Sequence, residues 1–243
     1  MKGNAIGEGK LIQTRTHVVR RILVLAALLA GLFSSWSCTQ VSSANDFQTW
    51  QWLTVRVWKT NDFRALLYGD NRMTDNSSRQ KLFILGPRVA QRIHPNWNVG
   101  AGYLFLNVQN LATRQWAHEH RLDFALSPRV DLAPKTQLHS RNRIELRWLE
   151  NSAGAIPRAR HRIQLRQRIN RGPVESVYCN NEFLIDYRQG RYTENRLVPA
   201  GIGFRLHDHA SIDFFYMIQS QRRAATGNWG DNHIFGTHLR VRF

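Results

Sequence analysis

The chain is short of acid. Seventeen Asp and Glu stand against thirty-four Lys and Arg, a formal net charge of +17. An imbalance of that size points to an anionic partner, or to a fold that gathers its cations in one place. Cysteine is almost missing: Cys38 and Cys179 are the two present. Cleavage after Ala44 leaves only Cys179, and one thiol cannot form an internal disulfide, so stability in an oxidising compartment rests on backbone pairing and burial. Long apolar runs are missing too, apart from the N-terminal stretch "ILVLAALLAGLF" at Ile22 to Phe33. A helical membrane bundle is therefore excluded, and a membrane location would require crossing as strands. No Ser/Pro-rich linker interrupts the 243 residues, which favours one domain.

The N-terminus has the three parts of an export signal. A basic segment ends at Arg20 and Arg21, the apolar run follows, and the small residues Ser42, Ser43 and Ala44 mark a cleavage site. The run is shorter than the roughly 18 residues a spanning helix needs, which argues against an uncleaved anchor. Cleavage after Ala44 divides the chain into a signal peptide, residues 1–44, and a mature domain, 45–243. Lipidation at Cys38 is the competing reading, and the bulky Trp36 before it fits that pattern poorly.

Between Arg158 and Ile169 the sequence reads "RARHRIQLRQRI", with arginines at 158, 160, 162, 166 and 168. All share one parity. A helix would scatter them around its circumference, whereas a strand places them on one face and Ala159, His161, Ile163, Leu165 and Ile169 on the other. The last residues, "FGTHLRVRF", alternate in the same way. Phe235, Leu239, Val241 and the terminal Phe243 share a side, which resembles the barrel-assembly signal of bacterial outer-membrane proteins. Nine more segments of this kind bring the predicted strands to eleven: 47–58, 63–73, 81–91, 97–108, 117–130, 136–149, 158–170, 174–187, 196–206, 210–221 and 232–243. Short connections ("KTND", "HPN", "LAPK", "RGP", "HDH") alternate with longer ones, as periplasmic turns alternate with external loops.

The expected fold is all-β: one antiparallel, up-and-down transmembrane barrel of about 10–12 strands behind a cleavable signal peptide. A soluble sandwich or lipocalin-like barrel competes. The terminal Phe243, the export signal and the dispersed aromatics favour the membrane form. Eleven strands sit awkwardly with the even number usual in bacterial barrels. Either one segment is misread, or the residues after Ala44 climb through the lumen before pairing.

The polar parity carries the candidate site. The expected lumen network comprises Glu119, Arg121, Asp123, Arg141, Arg143, Glu145, Arg147, Arg158, Arg160, Arg162, Arg166, Arg168 and Glu182. Pairing the strands around "LAPK" so that residue numbers sum to 266 sets Glu119 opposite Arg147, Arg121 opposite Glu145 and Asp123 opposite Arg143. A shift of two sets like charges opposite one another, so the first register is predicted. Arg160 or Arg162 then adjoins Glu145, Glu182 reaches the same arginines, and Arg141, Arg158, Arg166 and Arg168 stay unmatched within those strands. On a lipid face each arginine would cost about 2–4 kcal/mol near the midplane, so this face is placed toward the lumen.

Three roles remain open for such an interior. It can stiffen a narrow barrel, it can form a small anion-favouring pore or binding cavity, or the protein can be an outer-membrane lipid hydrolase using a rim histidine among His118, His120 and His161. No serine is placed convincingly beside those histidines. "HDH" at 207–209 reads as a turn rather than a metal site, Cys179 as outer-face packing, and Gly100, Gly102, Gly201 and Gly203 as space for bulky lumen side chains. No catalytic residue, metal or cofactor is assigned. Nucleic acid is not an expected partner, because the arginines follow strand parity and the chain is exported. The expected partners are outer-membrane lipids, the barrel-assembly machinery through the C-terminal strand and a small anionic solute, with the barrel a monomer.

Segments in order along the chain carry a family resemblance: "DFQTWQWL", "NWNVGAGY", "HEHRLDF" at 118–124, "RNRIELRWLE" at 141–150, "RHRIQLR" at 160–166, "NEFLIDY" and "ENRLVPAGIGFRL". Together they resemble the domain-of-unknown-function family 2490 of predicted outer-membrane barrels, across residues 46–243. The resemblance implies a location and an architecture and supplies no catalytic residue.

Overall fold

The computed structural model describes residues 46–150, 152–222 and 227–243, so the expected signal segment, Ala44 and Cys38 lie outside the described residues. Eleven strands follow one another: β1 (Asp46–Lys59), β2 (Phe63–Thr74), β3 (Arg79–His94), β4 (Trp97–Gln109), β5 (Trp116–Ala133), β6 (Thr136–Leu149), β7 (Ile156–Arg171), β8 (Val174–Asp186), β9 (Arg191–His207), β10 (Ala210–Arg222) and β11 (Trp229–Arg242). Each pairs with its sequence neighbours, and β1 pairs with β11 to close the barrel.

That closing pair is parallel, with Asp46 beside Asn232 and Arg56 beside Arg242. The expectation of antiparallel pairing throughout is corrected here. With an odd number of alternating strands the first and last must run the same way; all eleven predicted segments are strands and Asp46 already pairs with Asn232, so the barrel is odd-stranded and neither a misread segment nor a climb through the lumen accounts for the count.

Alternation along each strand sorts the side chains. On β5, Glu119, Arg121 and Asp123 are buried, while His118, His120, Leu122 and Phe124 between them face outward. On β7 the arginines face inward and Ile163 outward, as their parity requires. At the ends joining β3 to β4, β5 to β6, β7 to β8 and β9 to β10, two-residue turns suffice. Gly172 takes a left-handed φ of 57° in the β7–β8 turn, where a side chain would be strained. The opposite ends carry longer loops. There Asp46 Oδ2 accepts a bond from Thr74 Oγ1 (2.5 Å), and Asp46 Oδ1 one from the backbone N–H of Asn76 (2.9 Å), so the first barrel residue fixes the β2–β3 loop.

The predicted β5–β6 register is also corrected. The observed sum is 268: Arg121 lies opposite Arg147, Asp123 opposite Glu145 and Ala125 opposite Arg143. The chain reverses over Pro134 and Lys135, and a bulge between Asp131 and Ala133 resets the pairing. Like charges tolerate this arrangement because the ion pairs form along the strand and on the diagonal. Glu119 binds Arg121 on its own strand (2.7 Å) and Arg147 across the pair (2.7 Å). A cysteine pair checks it: with Cys179→Ser as background, Leu122→Cys with Leu146→Cys, directly opposite here, is expected to oxidise to a disulfide seen by unfolded gel mobility. Leu122→Cys with Ile144→Cys, opposite in the 266 register, is expected to stay reduced.

The interior is not uniformly polar. Trp50, Val198, Phe215, Met217 and Ile234 form one buried apolar cluster, and Ile84, Leu104 and Leu106 a second. Two glycines make room for the first. Gly236 on β11 and Gly201 on β9 lie opposite Phe215 on either side, and a Cβ on Gly236 would collide with the Phe215 ring. Gly201 is likewise covered by the ring of Tyr178, and Gly203 and Gly102 by Asp213 and Arg88, the interior side chains for which space was expected. Gly100 differs, since the atom nearest its added Cβ is the Val89 carbonyl oxygen.

Candidate anion-binding interior

β5, β6, β7 and β8 bring the ionic residues together. Glu145 is fully buried, and its Oε2 accepts bonds from Arg158 Nε (2.8 Å) and Nη2 (2.5 Å) while its Oε1 accepts one from Arg160 Nη1 (2.8 Å). Arg143 and Arg121 stand further off, at 3.6 and 3.8 Å. Arg160 also reaches Glu182 through Nη2 (2.6 Å), and Glu182 takes a second arginine, Arg141, at 2.7 Å. A guanidinium presents several donors in a plane, so one arginine can span two carboxylates where a lysine would serve as a point charge. Asp123 holds Arg88 of β3 at 2.7 Å and Arg143 at 3.7 Å, which carries the network onto a fifth strand.

Of the thirteen residues expected in the network, eleven make ion pairs. Arg162 and Arg168 have no carboxylate oxygen within 4 Å among the described residues and instead line the open interior. Two expectations of unmatched charge are corrected: Arg158 is paired with Glu145 and Arg141 with Glu182. Arg166 finds a counterion on a strand outside the predicted set, Asp213 of β10, at 3.7 Å.

Sequence reasoning missed three further pairs on the other side of the barrel. Arg240 clamps Asp213 with two bonds (2.5 and 2.7 Å), Arg72 clamps Asp70 (2.7 Å), and Arg196 donates to Glu194 (2.5 Å), which also accepts from Gln219. Two of these obey a simple spacing, acid then arginine two residues on, the same as Glu119 and Arg121. That i, i+2 pattern on a strand keeps both groups on one face, and it was the available signal. Arg72 also lies over the face of Trp50, 3.7 Å from the ring centroid, joining the ionic and apolar parts of the interior.

Between these walls lies a cavity of about 800 Å³ lined by fifteen arginines and four carboxylates, with no lysine. Its inner end mixes Ile84, Leu104, Val198, Phe215 and Met217, members of the two buried apolar clusters, with the charged side chains of Asp70, Arg72, Arg121 and Arg196. At its other end, near the short turns, stand Arg64, Arg129, Arg168, Arg205 and Arg242. The cavity therefore has a cationic mouth and a floor that is part apolar and part ion-paired.

The outer face offers little chemistry. His120 Nδ1 pairs with Tyr103 Oη (2.6 Å), His161 Nδ1 with Asn142 Oδ1 (2.6 Å), and the His118 ring lies beside Phe105. Among the described residues none of these rings bonds a serine or a carboxylate, and no cluster of three metal-ligating side chains occurs. Cys179 shares the outward parity of Phe183 and Ile185 but is itself buried, 7% exposed. Phe235 and Phe243 are exposed on the outer face, and the Phe243 N–H donates to the Arg56 carbonyl (3.3 Å) across the closing seam.

These features define a class: a closed, eleven-stranded, mostly antiparallel β-barrel whose polar interior is dominated by arginine. Within that class the chain belongs to the family described as a protein of unknown function, DUF2490, whose sequence model matches residues 47–230. Comparison with curated proteins gives no match.

Proposed function

We propose that this is an integral outer-membrane barrel, exported by residues 1–44 with cleavage after Ala44, whose interior is a blind anion-binding vestibule open at the short-turn end. The observation that carries the reading is the sorting of side chains by wall face. Leu85, Leu122, Phe124, Ile144, Ile163 and Phe235 are exposed outward at mid-strand, while the arginines point in. A barrel in water has the opposite need. Toward the strand ends two sets of aromatics are exposed on the outer face among aliphatics such as Ile93, Val130 and Leu206: Trp58 and Trp97 at the short-turn side, Trp116, Trp148 and Tyr187 at the loop side. Two such girdles suit the two interfaces of a bilayer.

With short turns in the periplasm, the mouth faces that compartment and Phe243 is presented where assembly machinery would engage it. Outer-membrane lipids contact the belt, and the barrel functions as a monomer. The packing beyond the floor favours binding over conduction, since the buried side chains of Trp50, Leu106 and Ile234 and the clamped Arg72–Asp70 and Arg196–Glu194 pairs fill the interior there.

Membrane fractionation and planar-bilayer recording test this reading. A heat-modifiable band is expected in the outer-membrane fraction, resistant to alkaline extraction, and the purified barrel is expected to give no steady current. A product soluble without detergent would remove the membrane assignment. Steady anion-selective conductance would convert the vestibule into a pore.

A further inference from the structure

Resting on the vestibule reading and naming its ligand class, we propose that the cavity binds a soluble oligoanion of the phosphate type, with Arg162 as its inner anchor and a ring of five arginines as its collar. The inference starts from which arginines lack a counterion. Most of the fifteen that line the cavity are held by buried carboxylates. Arg64, Arg129, Arg162, Arg168, Arg205 and Arg242 have no carboxylate within 4 Å among the described residues.

Their placement is not random. Five stand near the short turns, one each on β2, β5, β7, β9 and β11, so that roughly every second strand contributes a cation around the mouth. The sixth, Arg162, sits deeper, midway along β7, across from Arg141 on one side and Glu182 on the other. Both neighbours are already engaged with each other at 2.7 Å, which leaves the Arg162 fork facing the cavity. Gln164 and Asn180 line the wall next to it and can donate from their amides.

Deeper still, Arg143 is 5% exposed and lines the cavity, yet its Nε lacks a hydrogen-bond partner and its nearest carboxylates lie at 3.6 and 3.7 Å. A buried guanidinium so loosely satisfied is a donor awaiting an acceptor. Fixed cations inside a low-dielectric wall focus their field at the mouth and concentrate multivalent anions. The volume matches an ordinary ligand pocket. Forked donors without lysine select oxyanions that accept two bonds at once. Several separated cations select an anion with several charged groups over one with a single group.

Isothermal titration calorimetry on the purified barrel in zwitterionic nanodiscs tests the proposal, using orthophosphate, pyrophosphate and tripolyphosphate as probes. Affinity is expected to rise along that series and to fall steeply with added salt. Arg162→Gln is expected to weaken tripolyphosphate at least about tenfold, with Arg162→Lys intermediate because charge returns without the fork. Arg64→Gln and Arg205→Gln, at the exposed mouth, are expected to flatten the salt dependence. Equal affinity across the series, or no effect of Arg162→Gln in a barrel that still shows heat-modifiable migration, would overturn the proposal.

A headgroup could supply the same phosphate chemistry. Repeating the titration in phosphatidylglycerol nanodiscs separates the two sources: retained tripolyphosphate binding supports a soluble ligand, and its abolition assigns the cavity to lipid headgroups and overturns the proposal. Binding in solution is read independently of membrane fractionation. A barrel that resides in the membrane but ignores all three probes removes this inference alone, and one that binds them but fractionates as soluble removes the membrane assignment.

Discussion

Glu145→Leu is expected to cost about 3–5 kcal/mol of barrel stability, much of the total for a domain, and to leave a large fraction unfolded. Glu145 is the buried carboxylate that Arg158 and Arg160 bond directly and that Arg143 and Arg121 approach within 4 Å. Deleting it leaves those guanidiniums packed against one another with too few counterions. The sign of the effect reverses for a loosely held cation. Arg143→Met removes one member of an arginine-rich cluster and breaks only two long contacts, so it is expected to be close to neutral or stabilising. Urea titration of the refolded barrel, read by its heat-modifiable mobility, compares the two. If Arg143→Met costs as much as Glu145→Leu, the interior is not overloaded with positive charge.

The second large effect lies on the outer face. Ile144→Arg, near the middle of β6, is expected to destabilise the barrel in lipid vesicles by about 2–4 kcal/mol, while Leu132→Arg, beside the β5–β6 turn, costs only about 0–1. Both residues are exposed on the outer surface, at 43% and 55%, so a barrel surrounded by water would tolerate both changes equally. The depth dependence is thus a direct reading of the surrounding medium. Denaturant midpoints in vesicles measure it. Equal, small losses at both positions would contradict a bilayer around the belt.

Much of this architecture could be read from side-chain parity. The alternation in "RARHRIQLRQRI" placed β7 and its charged face, and the same rule found all eleven strands, because a two-residue period survives in the sequence wherever one wall face is polar and the other apolar. Register did not survive in the same way. Pairing by direct opposition assumed short side chains, whereas an arginine reaches along its own strand and diagonally, so Glu119 is satisfied by Arg121 and Arg147 in a register that sets those two arginines face to face. The apolar part of the floor was hidden for a different reason. Phe215, Met217 and Ile234 have the composition of an outward face, and which side a mainly apolar strand turns inward depends on its neighbours rather than on its own residues. On β9, irregular pairing with both neighbours shifts the phase, with Arg196 and Val198 facing in at even positions and Gly201 and Gly203 at odd ones. No single-strand pattern survives such a switch.

The parallel β1–β11 seam has a consequence for anyone re-engineering the molecule. In an even-stranded barrel the two chain ends meet at one rim, and a hairpin joins them. Here Asp46 and Phe243 leave from opposite rims, so a circular permutant fusing them would need a linker as tall as the wall, threaded through the vestibule or laid across the outer belt.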